Sequence, residues 1–227
     1  MSLLFKEVVD DWGTSYQLTG AGYSLMVILM LALVVVGAAL FGDRKTNKTS
    51  TKQIAFSAMA IALAMVASMI KIVHLPMGGS ATLFSMLFIV LIGYWFGLGA
   101  GLTAAVAYGI LQLIIDPYIV SLPQMLVDYF FAFGALGLSG IFSKSKNGLI
   151  KGYIVAVLGR YFFAILSGVI FFASYAPDTG ILSNPFLYSA AYNGAYLATE
   201  AVITLVVIFI PAVNKALTSV RELALEK

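Results

Sequence analysis

Polar residues are sparse along this 227-residue chain, and the gaps between them set its organisation. Seven apolar stretches recur, separated by short polar loops: Tyr23 to Phe41, Gln53 to about Val73, Leu83 to Phe96, Gly99 to Ile115, Val120 to Phe142, Gly152 to Phe172 and Tyr188 to Val213. The runs are continuous rather than alternating, and most are near the length that spans a hydrocarbon core as an α-helix, whereas membrane strands would alternate. The pattern predicts an all-α polytopic membrane protein. Residues 1–52 hold an N-terminal transmembrane helix and a basic loop, 53–215 a six-helix body, and 216–227 a tail. Glu7, Asp10 and Asp11 precede the first run where a signal peptide would carry bases, so that run reads as a retained helix.

Charge orients the spans. Arg44, Lys45, Lys48 and Lys52 share one loop, Lys144, Lys146 and Lys151 share another, and Lys215 and Arg221 follow the last span. With these three regions cytoplasmic, all seven spans thread consistently, with the N-terminus outside and the C-terminus inside. The outer loops are then His74 to Thr82, Asp116 to Ile119 and Ala173 to Leu187. Lys71 is the one base near the outer side, where it can snorkel to the interface.

Composition agrees. Hydrophobic residues make up 61% of the chain and charged residues 10%, far below the ~25% of a soluble domain. The net charge of +3 lies mostly in two loops and the tail, which is a topology signal and not a nucleic-acid footprint. There are no cysteines and one histidine, His74, so disulfides are excluded and a metal site is not expected. No phosphate-binding loop with a Lys-Ser/Thr ending is present, so the chain is not expected to hydrolyse ATP itself.

Against this apolar background a charge is informative, because one at a membrane helix centre costs roughly 2.5–3.5 kcal/mol on insertion scales. Asp128, Arg160 and Glu200 sit well inside the last three spans, one on each. Three such residues on three helices point to a shared polar interior; alternatively, Arg160 and Glu200 form a buried pair that fixes helix packing. Asp128 is followed at once by Tyr129-Phe130-Phe131, and an acid backed by aromatic faces suits an organic cation. On the last span Tyr188, Tyr192 and Tyr196 form a single helical stripe beside Asn193, whose amide needs partners inside a membrane. Arg160, Ala164, Gly168 and Phe172 recur every four residues, either as a close-packing face or as one wall of a cavity open to the outside. The first body helix carries the small-xxx-small pairs Ala58/Ala62 and Ala60/Ala64, which let another helix approach. Gly97-x-Gly99-x-Gly101 lacks the strand context of a dinucleotide loop and reads as a tight cytoplasmic turn.

These stretches, in order, resemble the thiamine-specific substrate-binding subunit (S-component) of energy-coupling factor transporters over residues 53–215. The resemblance rests on Pro76-Met-Gly-Gly-Ser80, Gln124-Met-Leu-Val-Asp128-Tyr129, Arg160-Tyr-Phe-Phe-Ala164-Ile-Leu-Ser-Gly168, Phe171-Phe172-Ala-Ser-Tyr-Ala-Pro177 and Tyr188-Ser-Ala-Ala-Tyr-Asn193-Gly194. It implies a thiamine pocket near the outer side, beneath the first outer loop. Asp128-Tyr129 matches the family's acid–tyrosine pair, with Tyr118, Tyr188 and Asn193 as further pocket residues and Gly168 as a close-approach glycine. The pocket histidine of family members is Ala164 here, and the stacking tryptophan of some members is Phe172. The alanine motif over Ala58, Ala60, Ala62 and Ala64 corresponds to the docking site for a membrane coupling subunit, which with two cytosolic ATPases would drive uptake. Delivery would involve toppling of the whole subunit in the bilayer. No cofactor is implied, and the function is transport, not enzymatic. The altered pocket keeps a thiamine precursor or related vitamin open as the ligand. A stand-alone proton-coupled carrier would use Asp128, Arg160 and Glu200 as a relay instead.

Overall fold

The computed structural model describes residues 50–226 continuously and, before them, residues 3, 5–10, 13–22, 24, 25 and 28. The expected first span, Tyr23 to Phe41, and the bases Arg44, Lys45 and Lys48 therefore lie mostly or wholly outside the described residues. Ahead of them is a two-stranded antiparallel hairpin, β1 (Phe5–Asp10) with β2 (Gly13–Leu18), in a register from Phe5↔Leu18 to Asp10↔Gly13. The hydropathy pattern placed no element there.

The body begins at α1 (Thr51–Met69), whose N-cap Ser50 accepts from the Gln53 N–H at 3.0 Å. α1 stops four residues short of the expected Val73. Ile70 leaves the helix, and the β-branched run that follows forms β3 (Lys71–His74), paired antiparallel with β4 (Ser80–Thr82). A 3-10 turn at Pro76–Gly78 closes this hairpin, with Met77 and Gly78 both at positive φ.

The next helix, α2 (Ser85–Phe96), has 12 residues, about 18 Å at 1.5 Å per residue, and does not by itself reach across a ~30 Å hydrocarbon core. Nine of those residues are buried, because α2 runs through the middle of the body with α1 and the following three helices packed around it. Gly97, at φ 88°, turns the chain directly into α3 (Leu98–Ile115). The fourth membrane helix, α4 (Leu122–Phe142), changes pitch along its length: α over Leu122–Met125, π over Leu126–Ala132 and 3-10 over Ala135–Phe142. Asp128 and Tyr129 fall in the π segment, a distortion common at functional sites. α5 (Gly148–Phe171) and α6 (Pro185–Phe209) complete the body, α6 starting from an Asn184 cap that accepts from the Phe186 and Leu187 N–H groups.

Five of these helices, all but α2, are long and apolar enough to cross a membrane. Their outward faces carry large exposed apolar side chains, among them Leu63 and Val66 on α1, Leu158 and Phe162 on α5, and Val202 and Val206 on α6, as a lipid-facing surface requires. The last span ends at Phe209 and not at Val213. Pro211 disfavours helical Ile210, which sits at φ −66°, ψ 120°, and a separate helix, α7 (Pro211–Leu225), starts there. Leu217 and Val220 of α7 pack against the core, and Arg221 lies over the Tyr94 ring at 4.5 Å while donating to the Ser143 carbonyl at 2.5 Å.

Candidate ligand-binding site

One end of the body encloses a cavity of about 160 Å³. The β3–β4 hairpin forms its roof through Met77, Gly78, Gly79 and Ser80, and α3 to α6 form its walls. All eight residues singled out for the pocket, Tyr118, Asp128, Tyr129, Ala164, Gly168, Phe172, Tyr188 and Asn193, line this one space.

The half-buried Asp128 is held by Gln124, one turn before it on the same face of α4. Gln124 is 1% exposed and fully engaged: Nε2 donates to Asp128 Oδ2 at 2.5 Å and to the Tyr118 carbonyl at 3.2 Å, and Oε1 accepts from the Val120 N–H at 3.0 Å. One carboxylate oxygen is thereby fixed, leaving acceptor capacity for an occupant of the cavity. Ser167, 2% exposed, also lines the cavity, and its buried hydroxyl has no hydrogen-bond partner among the described residues. The sequence reading missed Gln124 and Ser167 as site residues, although Gln124 at i−4 from the acid was a usable signal.

Tyr129 contributes its ring, not its hydroxyl. The OH donates to the Asp116 carbonyl at 3.1 Å and accepts from the Tyr118 N–H at 2.8 Å, pinning the α3–α4 loop. That loop presents Tyr118, which stacks on Phe172 with centroids 6.1 Å apart and planes at 26°. On α6 Tyr188 stacks on Tyr192 at 6.2 Å and 29°, and both line the cavity. The cavity that holds the acid is thus lined by two stacked aromatic pairs.

Asn193 is occupied by the protein itself. Its Nδ2 donates to the carbonyls of Ala164 (3.2 Å) and Ser189 (2.9 Å) and to Ser189 Oγ (3.2 Å), while Oδ1 accepts from the Tyr196 hydroxyl at 2.8 Å. Ser189 Oγ in turn donates to the Ile165 carbonyl at 3.0 Å. This network holds α5 against α6, and the contact requires Gly168, since a Cβ there would lie 2.8 Å from the Ser189 Cβ. Asn193 and Gly168 therefore shape the wall by fixing the helix crossing.

The buried Arg160–Glu200 pair does not form. Among the described residues the ion pairs are Lys52–Glu226 at 3.5 Å and Lys71–Asp116 at 2.6 Å. Arg160 lines the cavity and rests on the face of Phe133, 4.1 Å from its centroid. Glu200, 2% exposed, instead accepts from the Thr82 N–H (3.2 Å) and hydroxyl (2.7 Å), the Ser85 hydroxyl (3.2 Å) and the Met86 N–H (2.9 Å). It caps the N-terminus of α2, whose own cap residue Phe84 has no side chain to do so. A relay through Asp128, Arg160 and Glu200 loses its last member, because both Glu200 oxygens are committed to this cap.

The alanines of α1 separate into two groups. Ala58 and Ala62 are on the exposed face, whereas Ala60 and Ala64 are 3% and 0% exposed and packed in the core. The inward pair is out of reach of any partner, so the docking role expected for Ala60 and Ala64 does not fit their burial.

A family model described as "thiamine transporter protein" matches residues 54–219, the whole helical body and half of α7. The chain belongs to this family. It is similar to the thiamine transporter ThiT of Bacillus subtilis (strain 168), 34% identical over 166 residues, covering 67% of this chain and 83% of that protein. It is also similar to the thiamine transporter ThiT of Lacticaseibacillus paracasei, 30% identical over 129 residues, covering 49% of this chain and 63% of that one. A solved ThiT structure from Listeria monocytogenes superimposes with a TM-score of 0.58 over 71% of this chain and 96% of that chain. At 21% identity that likeness speaks to the fold. Membership makes this a multi-pass membrane transport protein rather than an enzyme.

Proposed function

We propose that the protein captures thiamine in the roofed cavity and delivers it into the cell as the substrate-binding subunit of an energy-coupling factor transporter. Family membership supports the substrate, and Asp128 carries the reading onto this site. It is a positioned carboxylate in a cavity lined with stacked aromatic pairs, at one end of a membrane-embedded body. Thiamine joins a cationic thiazolium to an aminopyrimidine. The carboxylate offsets the ring charge or accepts from the exocyclic amine, while Tyr118, Phe172 and Tyr188 supply faces for the rings. A unit charge pair at 4 Å is worth about 4 kcal/mol at an effective dielectric of 20, enough to decide affinity.

Lys144, Lys146, Lys151 and Arg221 lie at the end of the body opposite the cavity, which supports a cavity facing outside and a cytoplasmic C-terminus. Energy would come from two cytosolic ATPases through a membrane coupling subunit seated on the exposed Ala58/Ala62 face of α1. Calorimetry on the purified chain without partners tests the substrate. Heat is expected with thiamine; silence with thiamine but heat with the isolated aminopyrimidine or thiazole moiety reassigns the ligand to a precursor.

A further inference from the structure

Three side chains fasten the β3–β4 hairpin over the cavity, and they differ in strength. At its base Glu200 holds Thr82 from a position 2% exposed, through bonds that also cap α2. On the rim the Lys71–Asp116 pair is solvent-exposed, its side chains 31% and 60% accessible, and such pairs contribute little. At the tip Gly78 packs against the Tyr118 ring stem, and Tyr192 of α6 adds hydrogen bonds: its hydroxyl accepts from the Gly79 N–H at 3.0 Å and donates to the Pro76 carbonyl. Gly79 is built to receive that hydroxyl, since a Cβ there would lie 2.5 Å from the Tyr192 oxygen. Strand pairing from Lys71↔Thr82 to His74↔Ser80 keeps the hairpin in one piece between tip and base.

We propose that Tyr192 is a positioning residue that latches the hairpin tip over the cavity, so that the hairpin opens by releasing this hydroxyl and pivoting on its Glu200-anchored base. The latch is two hydrogen bonds to backbone at a half-exposed rim, whereas the base is buried and bonded several times over. The tip therefore releases first. This inference rests on reading the cavity as a ligand site, but its test needs no ligand.

The chain has no cysteine, so Ser167→Cys places a single thiol inside the cavity beneath the hairpin. Its labelling rate with a charged methanethiosulfonate reagent reads how often the roof opens. Adding Tyr192→Phe is expected to raise that rate about tenfold, the size expected for one or two lost hydrogen bonds. A thiol introduced by Thr179→Cys, on the exposed α5–α6 loop, should label at the same rate in both backgrounds. Gly79→Ala pushes on the same hydroxyl, so it should open the roof too and add little on top of Tyr192→Phe. An unchanged rate at Ser167→Cys overturns the latch, and so does an equal rise at Thr179→Cys, which would mean general loosening. A wild-type chain that fails to bind thiamine while its labelling still responds to Tyr192→Phe refutes the substrate and leaves the latch standing. Where thiamine does bind, association and dissociation should accelerate together; faster dissociation alone would make Tyr192 a ligand contact and overturn the latch.

Discussion

Asp128 and Glu200 are both acids on apolar helices, and their partners give them opposite roles. Every acceptor direction of Glu200 that the structure records points at protein donors, whereas Asp128 has one oxygen held by Gln124 and the rest of its capacity turned toward the cavity. Asp128→Asn isolates the charge, because the amide oxygen can still accept from Gln124. It should weaken thiamine binding by more than about tenfold in calorimetry, and an unchanged affinity would make the acid a structural group. Gln124→Leu removes the support instead. It frees the carboxylate and removes the bonds that Gln124 makes to the Val120 N–H and the Tyr118 carbonyl, so thiamine affinity should fall several-fold together with the unfolding temperature. Asn193 gives the contrasting expectation: its amide holds α5 against α6, so Asn193→Ala should lower thermal stability at least as clearly as affinity.

At the level of elements, α2 is the part that hydropathy alone misjudges. Its 12 residues read as a span, but a helix that starts inside an apolar body exposes N–H groups with no water to meet them. Glu200, more than a hundred residues away in sequence, supplies the acceptors for Thr82 and Met86. Glu200→Ala strands the Thr82 and Met86 N–H groups and leaves the Thr82 and Ser85 hydroxyls only their 2.6 Å bond to each other; at about 1–3 kcal/mol for each buried group left unsatisfied, a fall of several degrees or more in thermal unfolding in detergent is the expected outcome. The six body helices were legible because apolar runs mark membrane segments directly. Their ends were not, because the stops at Met69 and Phe209 depend on a β-branched hairpin strand and on Pro211, which interrupt helix without interrupting hydrophobicity. The pocket divides in the same way. The family resemblance, carried over residue by residue, named eight residues that line one cavity, but which polar atoms the protein consumes, as with the Tyr129 hydroxyl and the Asn193 amide, depends on contacts between helices that no local pattern encodes.

For the whole molecule, the proposed coupling to partner subunits would act through the outer surface, and α1 separates that surface from the core within a single helix. Ala58 and Ala62, one turn apart, lie on a face with Ile54, Met59 and Val66 exposed beside them, while Ala60 and Ala64 point the other way into the packing around α2. The two pairs look alike in sequence, and only their burial separates a face open to a partner from one used in packing. Ala58→Trp and Ala62→Trp place bulk where a partner helix would have to approach, without touching the cavity, so uptake in cells with the coupling module should be abolished while thiamine binding in detergent is retained. Ala60→Trp forces the same bulk into a site 3% exposed, where overpacking costs ~1–3 kcal/mol or more, so stability and binding should fall together. Uptake that survives both outward substitutions would remove α1 as the docking face. Uptake by the chain alone, in cells lacking any coupling partner, would mean that transport needs no docking face, and the energy source would then have to be sought among the cavity's charged groups that sit inside membrane spans, Asp128 and Arg160.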